Sequence, residues 1–277
     1  MNQYQQHFGL THIPLAKNSP HSGFWMNESF MRFKEYFESL LHTPGIGLLT
    51  GEPGTGKTAI LRHVTQALNP HQYQVLYLAE TQFTSFDIYR QLALMLGLVP
   101  NYRFADLWRS IKHHIQDRVE HKRSLPILII DEAQNLPLDF FRGFPSFLNY
   151  AFDAKDMMTV WFVGHPALTN LIDRAAHTAL SSRIQVRHQL YPVIERESFK
   201  EMIAYAFKEA GAQSSLLSDS GIELLRIASQ GRPRNVHRIL VTGMQLATKT
   251  NLHYLSDDLL QEAIEALKGN VKRGNSL

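Results

Sequence analysis

Two hydrophobic patterns alternate along the chain up to Tyr191. Short, continuous apolar runs are typical of strands buried on both faces of a sheet, and they occupy residues 46–50, 74–79, 125–130 and 159–164. Between them, apolar residues recur at the spacing of amphipathic helices, over 28–41, 59–68, 84–96, 107–119 and 139–152. Pro145 lies inside the last helix and is expected to bend it. Strands that alternate with helices predict a mostly parallel sheet covered on both faces.

The pattern changes near Pro192. Residues 184–190 alternate between apolar and polar side chains, as an edge strand does. Beyond them only helical patterns follow, over 197–210, 218–229, 233–247 and 256–267, with Ser218 and Ser256 as N-caps and Pro233 in a first turn. We therefore predict an α/β fold with a parallel sheet, helices on both faces of the sheet and a small all-helical lid domain after it. The predicted boundaries are 1–30 for an N-terminal arm, 31–192 for the α/β domain, 193–268 for the lid and 269–277 for a flexible tail.

The predicted arm carries aromatic side chains at Tyr4, Phe8, Phe24 and Trp25 but little periodicity. Phe8-Gly9-Leu10, followed by Pro14, forms an apolar segment. It either packs on the core or supplies one wall of an adenine pocket, and packing is the favoured alternative.

Residues 51–58 fit the phosphate-loop pattern G-x-x-x-x-G-K-[ST] without a mismatch. A predicted strand precedes the loop and a predicted helix follows it. In that order, glycines let backbone N–H groups turn toward phosphate, and the helix N-terminus adds favourable partial charge. Lys57 then reaches the β- and γ-phosphates, and the Thr58 hydroxyl binds Mg²⁺. The predicted nucleotide-binding residues are Gly51, Glu52, Pro53, Gly54, Thr55, Gly56, Lys57, Thr58, Ala59 and, from the lid, Arg234.

An acidic pair follows the third predicted strand. Ligands gather at the carboxyl ends of the strands in open α/β sheets, so this pair is expected near the phosphate loop. Asp131 suits Mg²⁺, and Glu132 can polarise a water for attack on the γ-phosphate. The alternative is a pair that only caps a helix. Because Glu132 follows Asp131, we predict ATP hydrolysis rather than storage of the nucleotide.

Phosphoryl transfer also needs a cation near the γ-phosphate, often from a neighbouring subunit. Arg183 and Arg234 are the candidates, with Arg174, Arg187 and Arg232 as competitors. His165, at the end of the fourth strand, either contacts the γ-phosphate or the attacking water, or is an ordinary surface histidine.

Composition narrows the classes of function. The formal net charge of +3 and the pI near 9.0 permit nucleic-acid binding without requiring it. The absence of cysteine excludes disulfides and thiol chemistry. The chain has no apolar run of membrane-spanning length and no signal-peptide pattern at its start, which fits a cytoplasmic protein with no membrane partner.

The chain resembles the AAA+ ATPases of the ExeA-like group, which includes helper ATPases of DNA transposition of the TniB, TnsC and Mu B kind. The matching residues are Phe8–Leu10 with Pro14, Gly51–Thr58, Ile129–Gln134, Val163–Pro166, Ser182–Ile184 and Gly231–Val236. The resemblance implies that Arg183 is a finger reaching into the next subunit's site and that Arg234 is a second sensor. Position 165 is more often Gln, Thr or Asn in such proteins, and His165 keeps a hydrogen-bonding side chain there. The resemblance also implies the P-loop NTPase (AAA+) fold, with residues 31–192 as the nucleotide-binding domain. It further implies homo-oligomeric rings or filaments formed with ATP on duplex DNA.

The resemblance is compatible with three functions, of which the third is a nucleotide-gated interaction protein that binds no DNA. The first is a transposition helper that binds target DNA and recruits a transposase subunit. The second is a secretion-assembly ATPase, whose relatives are longer and carry a membrane segment and a cell-wall-binding domain. Neither feature occurs in this sequence, so the first is favoured. By resemblance, the DNA contacts fall in two turns, at Gln82 and Thr84 and at Tyr102 and Arg103; capping and turn formation are equally good explanations of these residues.

Overall fold

The computed structural model describes residues 3–17, 25–79, 81–212 and 215–274. Phe24 of the predicted arm therefore lies outside the described residues. The chain divides into two compact units. We call Glu28–Glu52 with Ile60–Leu190 the sheet unit, and Met1–Asn27 with Pro53–Ala59 and Tyr191–Leu277 the helical unit.

The sheet unit is built on five strands, all parallel to their neighbours, in the order β2-β3-β4-β1-β5. The strands are β1 (Ile46–Gly51), β2 (Tyr73–Leu78), β3 (Leu125–Ile130), β4 (Thr159–Gly164) and β5 (Ile184–Leu190). The predicted parallel sheet is confirmed, and β5 is an edge strand as its alternation indicated.

Helices cover both faces of this sheet because successive side chains of a strand point to opposite faces. On β4, Trp161 packs against Phe33 and Phe37, with ring centroids 5.0 and 5.8 Å apart. The next residue, Phe162, packs instead against Phe144, at 5.7 Å. Phe33 and Phe37 lie on α2 (Glu28–His42), and Phe144 lies on α6 (Leu138–Leu148). The remaining helices of the chain up to β5 are α1 (Gln3–His7), α3 (Lys57–Gln66), α4 (Ser85–Met95), α5 (Phe104–Glu120), α7 (Ala167–Ile172) and α8 (Thr178–Ser181).

The predicted helix over 139–152 is too long. α6 ends at Leu148, with Pro145 inside it, and Asn149 is its C-cap. The Asn149 side-chain oxygen accepts a hydrogen bond from the Asp153 backbone N–H at 3.0 Å, which favours a turn. Ala151, Phe152 and Asp153 all have positive φ in that turn, and Phe152 is fully exposed.

Among the described residues after Pro192, the helical unit contains four helices: α9 (Arg196–Glu209), α10 (Asp219–Ser229), α11 (Pro233–Lys249) and α12 (Asp257–Gly274). Ser218 caps α10 by accepting from the Gly221 N–H at 2.9 Å, and Pro233 is the first residue of α11, both as predicted. α12 extends to Gly274, so the first part of the predicted tail is helical. A glycine such as Gly269 lowers helix propensity by about 1 kcal/mol but keeps its backbone donor, and so does not end a helix by itself.

The N-terminal arm belongs to the helical unit, where Phe8 and Leu10 are buried in the same cluster as Phe199. The Thr11 N–H donates to the Ala210 carbonyl at 2.9 Å. Between the two interpretations of the arm, these contacts support packing. Within the part of the chain that the structure describes, no helix is both long and apolar enough to cross a membrane.

Candidate functional site

The phosphate loop leaves the sheet at the end of β1 and runs directly into α3, which begins at Lys57. Gly54 and Gly56 have φ values of 87° and 105°. Residues with a Cβ rarely adopt such angles, so the loop conformation requires glycine at both positions. The Lys57 and Thr55 side chains are buried, whereas Thr58 is exposed. The backbone thus has the conformation that the sequence motif predicted.

Arg234 lies beside the phosphate loop within the helical unit. It is the second residue of α11, and its backbone N–H lies 3.4 Å from the Gly54 carbonyl. A Cβ added to Gly54 would come within 3.0 Å of the Arg234 Cβ. The sequence motif around Pro233 therefore places an exposed arginine at the loop. Its assignment as a sensor of the γ-phosphate stays a prediction.

Asp131 is buried at the end of β3, and hydrogen bonds orient its carboxylate. The Tyr77 hydroxyl donates to Oδ2 at 2.6 Å, and the Glu132 backbone N–H donates to Oδ1 at 2.9 Å. Burial and the hydrogen bond to Asp131 raise the pKa of Tyr77 well above its usual range, so the hydroxyl stays a donor. No sequence pattern singles out this partner, because Tyr77 is one more residue of the strand predicted over 74–79.

Glu132 adopts the left-handed conformation, with φ 51° and ψ 38°. Non-glycine residues in this region cost about 1–2 kcal/mol each and recur at functional sites. Its carboxylate Oε2 accepts a hydrogen bond from the Gln134 side-chain amide at 2.6 Å. Its carbonyl accepts from the Thr81 hydroxyl at 3.1 Å. The Glu132 side chain is therefore held in place next to Asp131.

His165 follows β4 at the same edge of the sheet. Its ring Nε2 lies 3.4 Å from Glu52 Oε2, and its backbone N–H donates to Gln134 Oε1 at 3.1 Å. Since β1, β3 and β4 are parallel neighbours, Glu52, Asp131, Glu132 and His165 all lie at the carboxyl ends of the strands. The structure brings together these predicted residues of the sheet unit.

Arg183 lies at the amino-terminal ends of the strands, opposite Glu132, because it immediately precedes β5. Its Nη2 is 2.5 Å from Asp153 Oδ2, and its Nη1 donates to the Ala179 carbonyl at 3.2 Å. It is thus remote from Glu132 of its own chain, and its assignment as a finger stays a prediction. The competitor Arg187 is bound by both carboxylate oxygens of Asp173, at 2.8 and 3.0 Å.

The residues predicted to contact DNA have different surroundings. Thr84 caps α4 by accepting from the Asp87 N–H at 3.3 Å, which supports the capping explanation for this residue. Gln82, Tyr102 and Arg103 are exposed. Arg103 occupies the N-cap position of α5 without a capping side-chain hydrogen bond.

Comparison with known proteins agrees with this architecture. Residues 40–172 match a family model described as an AAA domain. In fold, the chain is similar to Cdc6p from Pyrobaculum aerophilum, with a TM-score of 0.66 and 16% identity over 94% of this chain and 70% of that one. It is also similar to the Aeropyrum pernix ORC1 protein, solved in complex with DNA, with a TM-score of 0.64 and 14% identity over 86% of this chain and 64% of that one.

The fold is that of an AAA+ P-loop NTPase. A sequence relative of this chain is general secretion pathway protein A from Aeromonas hydrophila, 25% identical over 246 residues. That match covers 85% of this chain but only 43% of the relative, so the chain spans less than half of the relative's length.

The residues present in the AAA+ fold fit a nucleoside triphosphate and magnesium. Gly54 and Gly56 leave a loop without Cβ atoms, and buried Lys57 supplies a positive charge. The Thr58 hydroxyl and the Asp131 carboxylate are hard oxygen donors of the type that Mg²⁺ prefers. Sequence reasoning gave no role to Tyr77 and Gln134, which donate hydrogen bonds to the carboxylates of Asp131 and Glu132.

Tyr77→Phe tests the orientation of Asp131. Loss of a hydrogen bond that orients a metal-binding carboxylate lowers metal affinity about tenfold or more. We therefore expect a higher magnesium concentration for half-maximal stabilisation by ATP, measured by thermal unfolding. Tyr73→Phe, at the opposite end of β2, is the matched control. An unchanged magnesium midpoint in Tyr77→Phe would contradict the role.

Proposed function

We propose that this chain is a magnesium-dependent ATPase whose subunits act on one another. Backbone amides of the phosphate loop would receive the phosphates, and Lys57 would neutralise charge on the β- and γ-groups. Thr58 and Asp131 would hold magnesium, which supplies positive charge against the phosphate oxygens. Glu132 would accept the proton of the attacking water, while His165 and Arg234 would contact the γ-phosphate.

The observation that carries hydrolysis is the placement of Glu132. Its exposed carboxylate is held by Gln134 directly beyond the buried Asp131. A pair that served only to cap a helix would leave Glu132 to cap the turn at Ala133, yet its side chain forms no capping hydrogen bond there. The arrangement supports a general base beside a metal site.

Lys57→Ala and Glu132→Gln separate binding from chemistry. Lys57→Ala should abolish the thermal stabilisation that ATP and magnesium give the wild type, because the phosphates lose their cation. Glu132→Gln should keep that stabilisation and lower turnover by about 10²-fold or more, because the general base is lost. Phosphate release and thermal unfolding measure the two effects. Tight ATP binding by Lys57→Ala, or normal turnover in Glu132→Gln, would contradict the assignments.

Arg183 supports the proposal that subunits complete each other's sites. It cannot reach Glu132 of its own chain from the opposite edge of the sheet, and an arginine acting in trans is a common device in phosphoryl transfer. A homo-oligomer, as a ring or filament, would bring it to a neighbour's γ-phosphate.

Arg183→Ala should lower turnover by roughly 10³-fold, the usual effect of losing such an arginine. Mixing Arg183→Ala with Glu132→Gln subunits should restore part of the activity, because each variant supplies what the other lacks. Arg187→Ala, which breaks only the contacts to Asp173 and Ser181, is the control. Phosphate release in mixed samples is the measurement, and the absence of any restoration would argue against action in trans.

For the biological task we propose a DNA transposition helper that binds duplex DNA with ATP and recruits a transposase subunit. The exposed Tyr102 and Arg103 and the pI near 9.0 support contact with DNA. The similarity in fold to a protein solved in complex with DNA is in keeping with this proposal. A secretion-assembly ATPase is the second candidate, favoured by the Aeromonas hydrophila relative that matches 85% of the chain.

Binding to random duplex DNA across a salt series distinguishes these candidates. A transposition helper should bind in the presence of ATP, with affinity that falls steeply as salt rises. Arg103→Ala should reduce the slope of log affinity against log salt by about 0.9, the value for one phosphate contact. Arg109→Ala, an exposed arginine 3.3 Å from Asp106, is the control. Failure to bind at every salt concentration would remove the first candidate and leave the secretion-assembly ATPase and the nucleotide-gated interaction protein.

A further inference from the structure

A chain of polar contacts joins the carboxyl ends of three neighbouring strands. It starts at Glu52, which follows β1. Glu52 Oε2 lies 3.4 Å from Nε2 of His165, at the end of β4. The His165 backbone N–H donates to Gln134 Oε1 at 3.1 Å, and Gln134 Nε2 donates to Glu132 Oε2 at 2.6 Å. Gln134 is thus the only described side chain of this series that contacts both the β4 end and Glu132.

The left-handed conformation of Glu132 allows the nearby Gln134 side chain to contact its carboxylate. The chain reverses at Glu132 and enters a short 3-10 turn over Ala133–Asn135. The side chain at position 134 can therefore point back to the carboxylate two residues earlier. The orientation of the Gln134 amide is determined, because a backbone N–H can only donate. Its oxygen must face His165, and its NH₂ group must then face Glu132.

Gly164 supplies the space that the Gln134 side chain occupies. A Cβ added at position 164 would lie 2.2 Å from Gln134 Oε1, well inside van der Waals contact. Its next neighbour would be Leu168 Cδ2 at 3.1 Å, the end of a side chain that can shift. The glycine at the end of β4 is therefore matched to the glutamine two residues beyond Glu132.

We propose that Gln134 is a positioning residue that orients the Glu132 carboxylate for proton transfer, with the end of β4 as its support. This proposal rests on the proposed ATPase function. A hydrogen bond to Oε2 fixes the plane of the carboxylate and leaves Oε1 to accept the proton of the water. Without this donor, Glu132 rotates freely about its side-chain bonds, and the correctly aimed fraction falls.

A double-mutant cycle between Gln134→Ala and Gly164→Ala tests this role. Gln134→Ala should lower kcat about 10- to 100-fold, the usual cost of a misplaced catalytic group, and leave KM within about twofold. Gly164→Ala should lower kcat in the same direction, because its methyl group displaces the Gln134 side chain. The double variant should be no slower than Gln134→Ala alone, since the displaced side chain is already absent.

Two further variants sharpen the cycle. Gln134→Glu keeps an oxygen for the His165 N–H but places a second carboxylate against Glu132, so its kcat should be at least as low as that of Gln134→Ala. Asn135→Ala, an exposed neighbour in the same turn, is the matched control and should keep the wild-type kcat. Binding of a fluorescent ATP analogue should have the same affinity in every variant, which separates orientation from loss of the site.

The outcomes distinguish failure of this proposal from failure of the proposed function. If the wild type hydrolyses ATP and the kcat losses of the two single variants multiply in the double variant, the positioning role alone is overturned. So would a normal kcat in Gln134→Ala, or a change confined to KM. A wild type that hydrolyses no ATP would overturn the ATPase proposal and the positioning role together. Non-additive melting temperatures of the nucleotide-free variants would still report the contact between Gln134 and Gly164.

Discussion

β4 lies between β1 and β3 and forms parallel hydrogen-bonded ladders with both. Because the strands pair in parallel, their carboxyl ends lie together at one end of the sheet. A polar residue follows each of the three strands there. The register of the strands alone therefore places Glu52, Asp131 and His165 at the same end of the sheet. The buried aromatic layers around Trp161 and Phe162 hold this central strand from both faces. The chemistry of the edge depends on that register.

The same geometry separates the predicted site residues between the two ends of the strands. The carboxyl ends carry the acidic residues and His165, whereas the amino end of β5 carries Arg183. A parallel sheet keeps these ends apart by the length of its strands, about 20 Å for six residues. A single chain cannot place both on one phosphate, which is why the proposed activity depends on assembly.

Sequence patterns predicted the strands well because buried parallel strands are continuous apolar runs bounded by polar turns. β3 and β4 begin and end where those runs do, and β5 covers the alternating segment 184–190. The phosphate loop and the acidic pair were equally visible, because their residue types are required by the chemistry. The end of α6 was not, since Phe152 extends the helical pattern of apolar residues although the Asn149 side chain turns the backbone before it. Gln134 and Tyr77 were also missed. Their roles depend on the backbone angle of Glu132 and on which strand neighbours β3, and neither is encoded in a local motif.

The pairing of Arg183 with Asp153 sets a threshold on any encounter that uses this arginine. A new anion must displace a carboxylate that already lies 2.5 Å from the guanidinium, so weak or singly charged groups compete poorly. A triphosphate, with several charges close together, competes far better. In the proposed oligomer, the turn that holds Asp153 would therefore keep the guanidinium bound to its own chain until a more strongly charged group is near.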